Sequence, residues 1–240
     1  MDINIIYVLI IGLIVGYFLN SIIAYLPEKI IKGWDIVAKE HLKIDINESD
    51  KFNLKFKLFS KPSKYFHLEI LTSLLFYLSY SVYGYSYITL FSFIMIPMLL
   101  TMSYIDLKYK LLLDNLTLSF LWIGLLFNYF TRFIPLEDAV LGAVSGYMFF
   151  WLTFQIHKFI RKIDGMGYGD FKLFAAIGAW LGIWMLPAVL LIAAVTSLFY
   201  GIYLKIKKNE DTSPFGQSLS FSCFIVFIYF NQISEFIKTF

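Results

Sequence analysis

Residues 3–26 read INIIYVLIIGLIVGYFLNSIIAYL, and this run decides the fold. A membrane-spanning helix needs about 20 mostly apolar residues. This run exceeds that length, and Asn4, near its start, and Asn20 are its strongly polar side chains. A secretory leader has a basic start, a shorter apolar core and a small-residue cleavage site. Here Asp2 precedes the run and no Lys or Arg does, so it reads as a retained first membrane helix. The rest of the chain agrees. Of its 240 residues, 59% are hydrophobic and 15% charged, against about 25% charged in soluble domains. That excludes an ordinary soluble domain, and disorder too, which needs low hydrophobicity. One cysteine excludes a disulfide framework and a four-cysteine zinc site. Three scattered histidines give no dedicated metal site, and a net charge of +3 gives no reason to expect a nucleic-acid partner.

Working outward, residues 27–66 form the one long polar stretch, with nine Lys and six Asp or Glu. It reads as a loop or small subdomain. Further apolar runs follow at 67–83, 85–105, 116–134, 136–156, 171–185, 187–206 and 215–237. The expected fold is an all-α, polytopic membrane helical bundle of about eight transmembrane helices. Its organisation is a first helix (1–26), a loop or subdomain (27–66) and a transmembrane core (67–240). Charge placement supports the count. With eight alternating spans, 18 of the 20 Lys and Arg fall on one side, leaving only Arg132 and Lys238 opposite. The positive-inside rule makes that side cytoplasmic and puts both termini outside. No internal repeat is visible.

Acids near hydrocarbon are costly unless they are paired or face water. Asp106 lies in SYIDLKYKLLLDNLTL, with Asp114 eight residues on, and Asp170 ends DGMGYGD. Both Asp106 and Asp170 fall at the cytoplasmic ends of spans, at one membrane depth, on different helices. Two carboxylates brought close share a proton. One then draws a proton from water while the other hydrogen-bonds the carbonyl under attack. Gly165, Gly167 and Gly169 alternate before Asp170, which allows close backbone approach and an extended peptide lying alongside. A single Asp at a span end is ordinarily a solvated flank or a cap. Gly142, Gly146, Gly178 and Gly182 read as helix-packing positions, Lys108 and Lys172 as interfacial anchors, and Cys223 as a buried small hydrophobe.

These residues carry a resemblance. GMGYGDFKLFAAIGAWLG (165–182) resembles the second active-site segment of the type IV prepilin peptidases, the GxGD aspartic type. YIDLKYKLLLDNLT (104–117) resembles the first. GYFLNSIIAYLP (16–27) is similar to the amino-terminal signature, FHLEILTSLLF (66–76) to the start of the second span, and SPFGQSL (213–219) to the Pro-Phe-Gly element before the last. The resemblance implies that Asp106 and Asp170 are the catalytic aspartates and that Gly167 and Gly169 are the motif glycines. It implies no metal and no cofactor for the peptidase. It further implies removal of basic leaders from prepilins or pseudopilins at the cytoplasmic face of a prokaryotic inner membrane. Membrane lipid is the expected surrounding, with anionic lipid holding the leader. Members with two Cys-x-x-Cys pairs in the first loop also N-methylate the product with S-adenosylmethionine. This loop has no cysteine, which excludes a zinc-stabilised loop and leaves methyl transfer open. Other departures are Leu113 and Gln217 where Pro is usual, and Tyr25 where a basic residue is usual.

Two other readings stand beside this one. Presenilin-like or signal-peptide-peptidase-like intramembrane proteases share GxGD, but pair it with a Tyr-Asp motif, whereas Ile105 precedes Asp106 here. A cation-binding transporter would carry its acids nearer the membrane centre.

Overall fold

In a computed structural model the protein is described over residues 3–42, 66–161, 167–208 and 213–239. Nine α-helices account for most of these residues: α1 (Ile3–His41), α2 (Phe66–Tyr83), α3 (Tyr87–Tyr109), α4 (Asp114–Thr131), α5 (Leu136–Arg161), α6 (Tyr168–Leu181), α7 (Leu186–Lys208), α8 (Phe215–Ile228) and α9 (Phe230–Lys238). A single 3₁₀ turn, Ile183–Met185, precedes α7. The protein is an all-α, polytopic membrane protein. Among the described residues four helices are long and apolar enough to cross a membrane, α1, α3, α5 and the turn-plus-α7 unit, or five with the bent α8–α9 pair. The sequence pattern led to about eight. The helices α2 and α4, 18 residues each, and α6, 14 residues, fall short by length or hydropathy.

Two boundaries differ from the sequence expectation. The first helix does not stop at Leu26 but continues through Pro27 to His41. Residues 28–41 keep apolar positions at helical spacing, and Asp35 pairs with Lys39 one turn on at 2.9 Å. The last apolar run is not one straight helix, because the chain bends by 79° between α8 and α9. Hydropathy averaged over the run hides a change of pattern. Every residue of α8 from Ser218 to Ser220 and from Ser222 to Phe224 is buried, whereas α9 alternates Phe230, Ile233 and Phe236 with Asn231, Glu235 and Lys238. That is the pattern of a helix lying at an interface. The loop assignment for 43–65 lies outside the described residues.

The chain divides into two compact units, Met1–Tyr77 and Leu78–Phe240. In the first, α1 and the start of α2 meet closely. The Ser73 hydroxyl donates to the Leu9 carbonyl at 2.9 Å, and the Asn20 amide donates to Glu69 Oε1 at 3.3 Å.

The second unit is built around α6. After Lys172, every residue from Leu173 to Leu181 is buried, so this helix is apolar all round, as an interior helix must be. Gly142 and Gly178 bring the backbones of α5 and α6 into contact, since a Cβ at Gly178 would meet the Gly142 carbonyl. From α4, the Trp180 indole of α6 is held by the Phe120 carbonyl at 2.9 Å and stacks on Phe120 and Phe127. Asn128 ties the far end. Its amide donates to the carbonyls of Ala179 at 2.8 Å and Trp180 at 3.1 Å, and its Oδ1 accepts from the Ile134 N–H at 3.3 Å. Tyr83 donates to the Phe227 carbonyl, joining the end of α2 to α8. Together these contacts fix the depth of α6, and with it the position of Asp170 in its first turn.

Candidate active site

Asp106 lies one turn before the end of α3. The helix stops because Lys110 adopts the left-handed conformation (φ 53°) and returns its N–H to the Asp106 carbonyl at 2.8 Å, an αL cap. The chain then turns through Leu111–Leu113 into α4. Asp106 is 5% exposed, the one buried charged side chain among the described residues. Its position is unfavourable for an anion with respect to its own helix, whose carboxyl end carries partial negative charge. The compensation comes from α8. The Gln217 N–H, in the first turn of that helix, donates to Asp106 Oδ2 at 3.0 Å, and the Gly216 N–H acts on the same carboxylate. Helix amino-termini hold anions in this way.

Asp170 comes from the other direction. Gly167 is the residue before α6, with extended backbone (φ −75°, ψ 138°), and the Asp170 N–H bonds back to its carbonyl at 3.2 Å. Half-buried and ahead of the apolar run, the Asp170 carboxyl is pushed up to about 7, first by burial and second by the charge of Asp106. The two carboxyl groups are therefore within electrostatic reach. A shift from 3.8 to about 7 corresponds to about 4 kcal/mol against ionisation. The favourable dipole at the start of α6 contributes only about 0.3–1 kcal/mol the other way, so burial wins.

Leu112 joins the two halves. A Cβ at Gly169 would lie 2.7 Å from Leu112 Cβ, and a Cβ at Gly216 would lie 2.8 Å from Leu112 Cδ1 and 2.9 Å from Asp106 Oδ2. One side chain of the α3–α4 turn thus presses on the bare backbones of α6 and α8. Gly169 is needed for that contact. The sequence suggested an extended segment leading up to Asp170, but the structure makes Tyr168 onward helical; Gly167, where the described residues resume, is extended, exposed and has open space about it. Asp164 and Gly165 lie outside the described residues.

Lys172 is not a simple interfacial anchor. It donates to Asp114 Oδ1 at 2.6 Å, linking the first turns of α6 and α4. The pair is partly exposed, so its contribution to stability is small, about 0–1 kcal/mol. Gln217 Oε1 and Ser213 Oγ are buried beside this region without a hydrogen-bond partner among the described residues. Leu112, Gly216 and Gln217 lie inside the motif segments 104–117 and 213–219, where nothing local assigns them a role. A closing glycine next to a polar residue at a helix start was the available signal for the last two. Cys223 is buried, as expected.

The sequence model of the type IV leader peptidase family matches residues 93–202, which include both aspartates. A prepilin leader peptidase/N-methyltransferase of Neisseria gonorrhoeae is 36% identical, covering 91% of this chain and 88% of its own length. The chain belongs to the type IV leader peptidase family. Proteins of the same name from Aeromonas salmonicida and Pseudomonas putida are 31% and 32% identical, each over 93% of this chain and 90% of the relative. No solved structure matches. Family membership separates this chain from presenilin-like proteases and from transporters. Like the resemblance first read at 104–117 and 165–182, the match runs through the segments that carry Asp106 and Asp170.

Proposed function

We propose that this protein is an aspartic endopeptidase that removes the leader peptide of a prepilin or prepilin-like protein, with Asp106 and Asp170 as its catalytic pair and Gly167 and Gly169 shaping the approach to them. The observation that carries the reading is the convergence of the two carboxyls through Leu112 and the first turn of α8. Two acids of this kind, one buried and one pushed up to about 7, share a single proton near neutral pH. The ionised member takes a proton from water, and the protonated member hydrogen-bonds the scissile carbonyl. No covalent intermediate is needed. On this reading the enzyme sits in the inner membrane of a prokaryote with this site at the cytoplasmic face, the side to which the eight-span pattern of the sequence sorts 18 of 20 Lys and Arg. The partners are the prepilin and surrounding lipid, without nucleic acid.

The relatives are also named N-methyltransferases. S-adenosylmethionine, when bound, supplies the methyl group for such a transfer. Two cavities among the described residues do not fit it. The cavity of about 510 Å³ beside Asp138 and Trp184 lies at the end of α5 and α6 remote from Asp170. The cavity beside Phe215 is lined by Ala194, Ser197, Gly201 and Lys205, with no carboxylate for ribose hydroxyls.

The test is cleavage of a co-expressed prepilin by wild type, Asp106→Asn and Asp170→Asn, read by gel shift and by the mass of the product's amino terminus. Cleavage by wild type alone is expected, with all three proteins accumulating in the membrane. An active single variant overturns the reading. The mass of one extra methylene on the product reports methyl transfer.

A further inference from the structure

The two aspartates are not equivalent in their surroundings. Asp106 receives a main-chain N–H from Gln217 at 3.0 Å, at the amino-terminal turn of a 14-residue helix. A main-chain N–H can only donate. It therefore favours a carboxylate oxygen that is an acceptor, and disfavours one that carries a proton. Asp170 has no such partner. Among the described residues no N–H or O–H donates to its carboxyl, and its own N–H is used on the Gly167 carbonyl at 3.2 Å. From this asymmetry we infer that the proton has a fixed home in the resting enzyme: Asp106 is the ionised base, Asp170 is the acid, and Gln217 is the positioning residue that assigns the roles through its main-chain N–H.

The inference rests on the proposed peptidase reading and deepens it. The step it implies balances. Asp106 removes a proton from water as the water oxygen bonds to the scissile carbon, and the Asp170 proton passes to the carbonyl oxygen, giving a gem-diol. Asp106 then hands its proton to the amide nitrogen, the carbon–nitrogen bond breaks, and the proton of one gem-diol hydroxyl returns to Asp170 as the carboxyl product forms. The dyad ends as it began, without metal or external proton donor.

Other charged groups do not reverse this assignment. At the same end of the bundle are Lys108 on α3 and Lys110 at its cap, Asp114 on α4, His157 and Lys158 on α5, Lys172 on α6, and Lys205 and Lys207 on α7. Asp114 and Lys172 are bonded to each other at 2.6 Å. The helix packed on Asp106, α8, brings no ionisable side chain before Cys223. The α6 dipole favours an ionised Asp170, but it acts through space and is weaker than a direct hydrogen bond to a carboxylate.

The experiment is a pH profile of kcat/KM for leader removal by purified wild type, Gln217→Pro and Gln217→Ala. Proline has no N–H and is tolerated in the first turn of a helix, whereas Ala keeps the N–H and deletes only the side chain. Loss of one hydrogen bond to a charged group moves the acid limb to higher pH by about one to two units in Gln217→Pro, and Gln217→Ala keeps the wild-type limb position whatever its rate. An unmoved acid limb in Gln217→Pro, or the same shift in Gln217→Ala, overturns the assignment. A second measurement does not depend on the proline variant folding. Just below neutral pH, the infrared carbonyl stretch of a protonated carboxylic acid disappears in Asp170→Asn and persists in Asp106→Asn. The opposite pattern overturns the assignment. Cleavage by either Asn variant sinks the peptidase dyad itself, and is read separately from which carboxyl holds the proton.

Discussion

Gly216→Ala adds one methyl group at the point where α8 meets Asp106. That methyl would stand 2.9 Å from Asp106 Oδ2 and 2.8 Å from Leu112 Cδ1, where ordinary contacts begin near 3.4 Å. Leu112 is a side-chain end and can rotate away. The carboxylate has less freedom, because it is held by the Gln217 N–H at 3.0 Å. It must move by about half an ångström and weaken that bond. Stability changes little. Overpacking costs about 1–3 kcal/mol, and replacing Gly by Ala within a helix returns about 0.5–1 kcal/mol. The site suffers more. A hydrogen bond to a charged group is worth about 1.5–3 kcal/mol, so kcat falls by about 10- to 100-fold, with KM nearly unchanged. The assay is the initial rate of leader removal from a prepilin peptide in detergent, with membrane accumulation scored in parallel. Gly201→Ala is the control, since its Cβ meets only Ser213 Cβ, at 3.7 Å. If Gly216→Ala keeps its rate within about twofold while folding normally, the close approach at Gly216 does not set the Asp106 geometry.

Other outcomes follow from the same contacts. Because the Asp170 carboxyl is pushed up to about 7, its proton is present below that pH and lost above it. Activity falls toward tenfold per unit on the alkaline side, and a flat rate across that range contradicts the shared proton. The same sign applies to stability: the contribution of protonated Asp170 is complete at low pH and disappears as pH rises through about 7, so Asp170→Asn flattens the dependence of melting temperature on pH. Asn128→Leu leaves the carbonyls of Ala179 and Trp180 and the Ile134 N–H without their partner. It lowers stability by about 3 kcal/mol, seen as a drop in Tm. Asp114→Asn and Lys172→Met each change stability by less than about 1 kcal/mol, and a double-mutant cycle with larger coupling contradicts a solvent-screened pair.

Much of the candidate site was legible before any fold was drawn. Asp106 and Asp170 stood out because an acid at the edge of hydrocarbon is conspicuous in an apolar chain, and charge sorting put both at one depth. Their partners were not legible. Gln217 was noted only as a departure from proline, yet the departure creates the N–H that reaches Asp106 across 111 residues. Nothing local marks Leu112, one of three consecutive leucines, as the side chain that touches both Gly169 and Gly216. Lys172 read as an anchor because its partner, Asp114, is 58 residues away.

The division has a physical origin. Hydropathy and charge are local and additive, so the linear chain already specifies an all-α membrane protein and the order of its apolar segments. Direction and contact are not local. The sharp break between α8 and α9, the continuation of α1 past Pro27, the burial of α6 on every face and the aim of one N–H at one carboxylate all depend on which helices meet, and at what height. Those features arise only when distant segments pack, and they make the surroundings of two otherwise similar aspartates different.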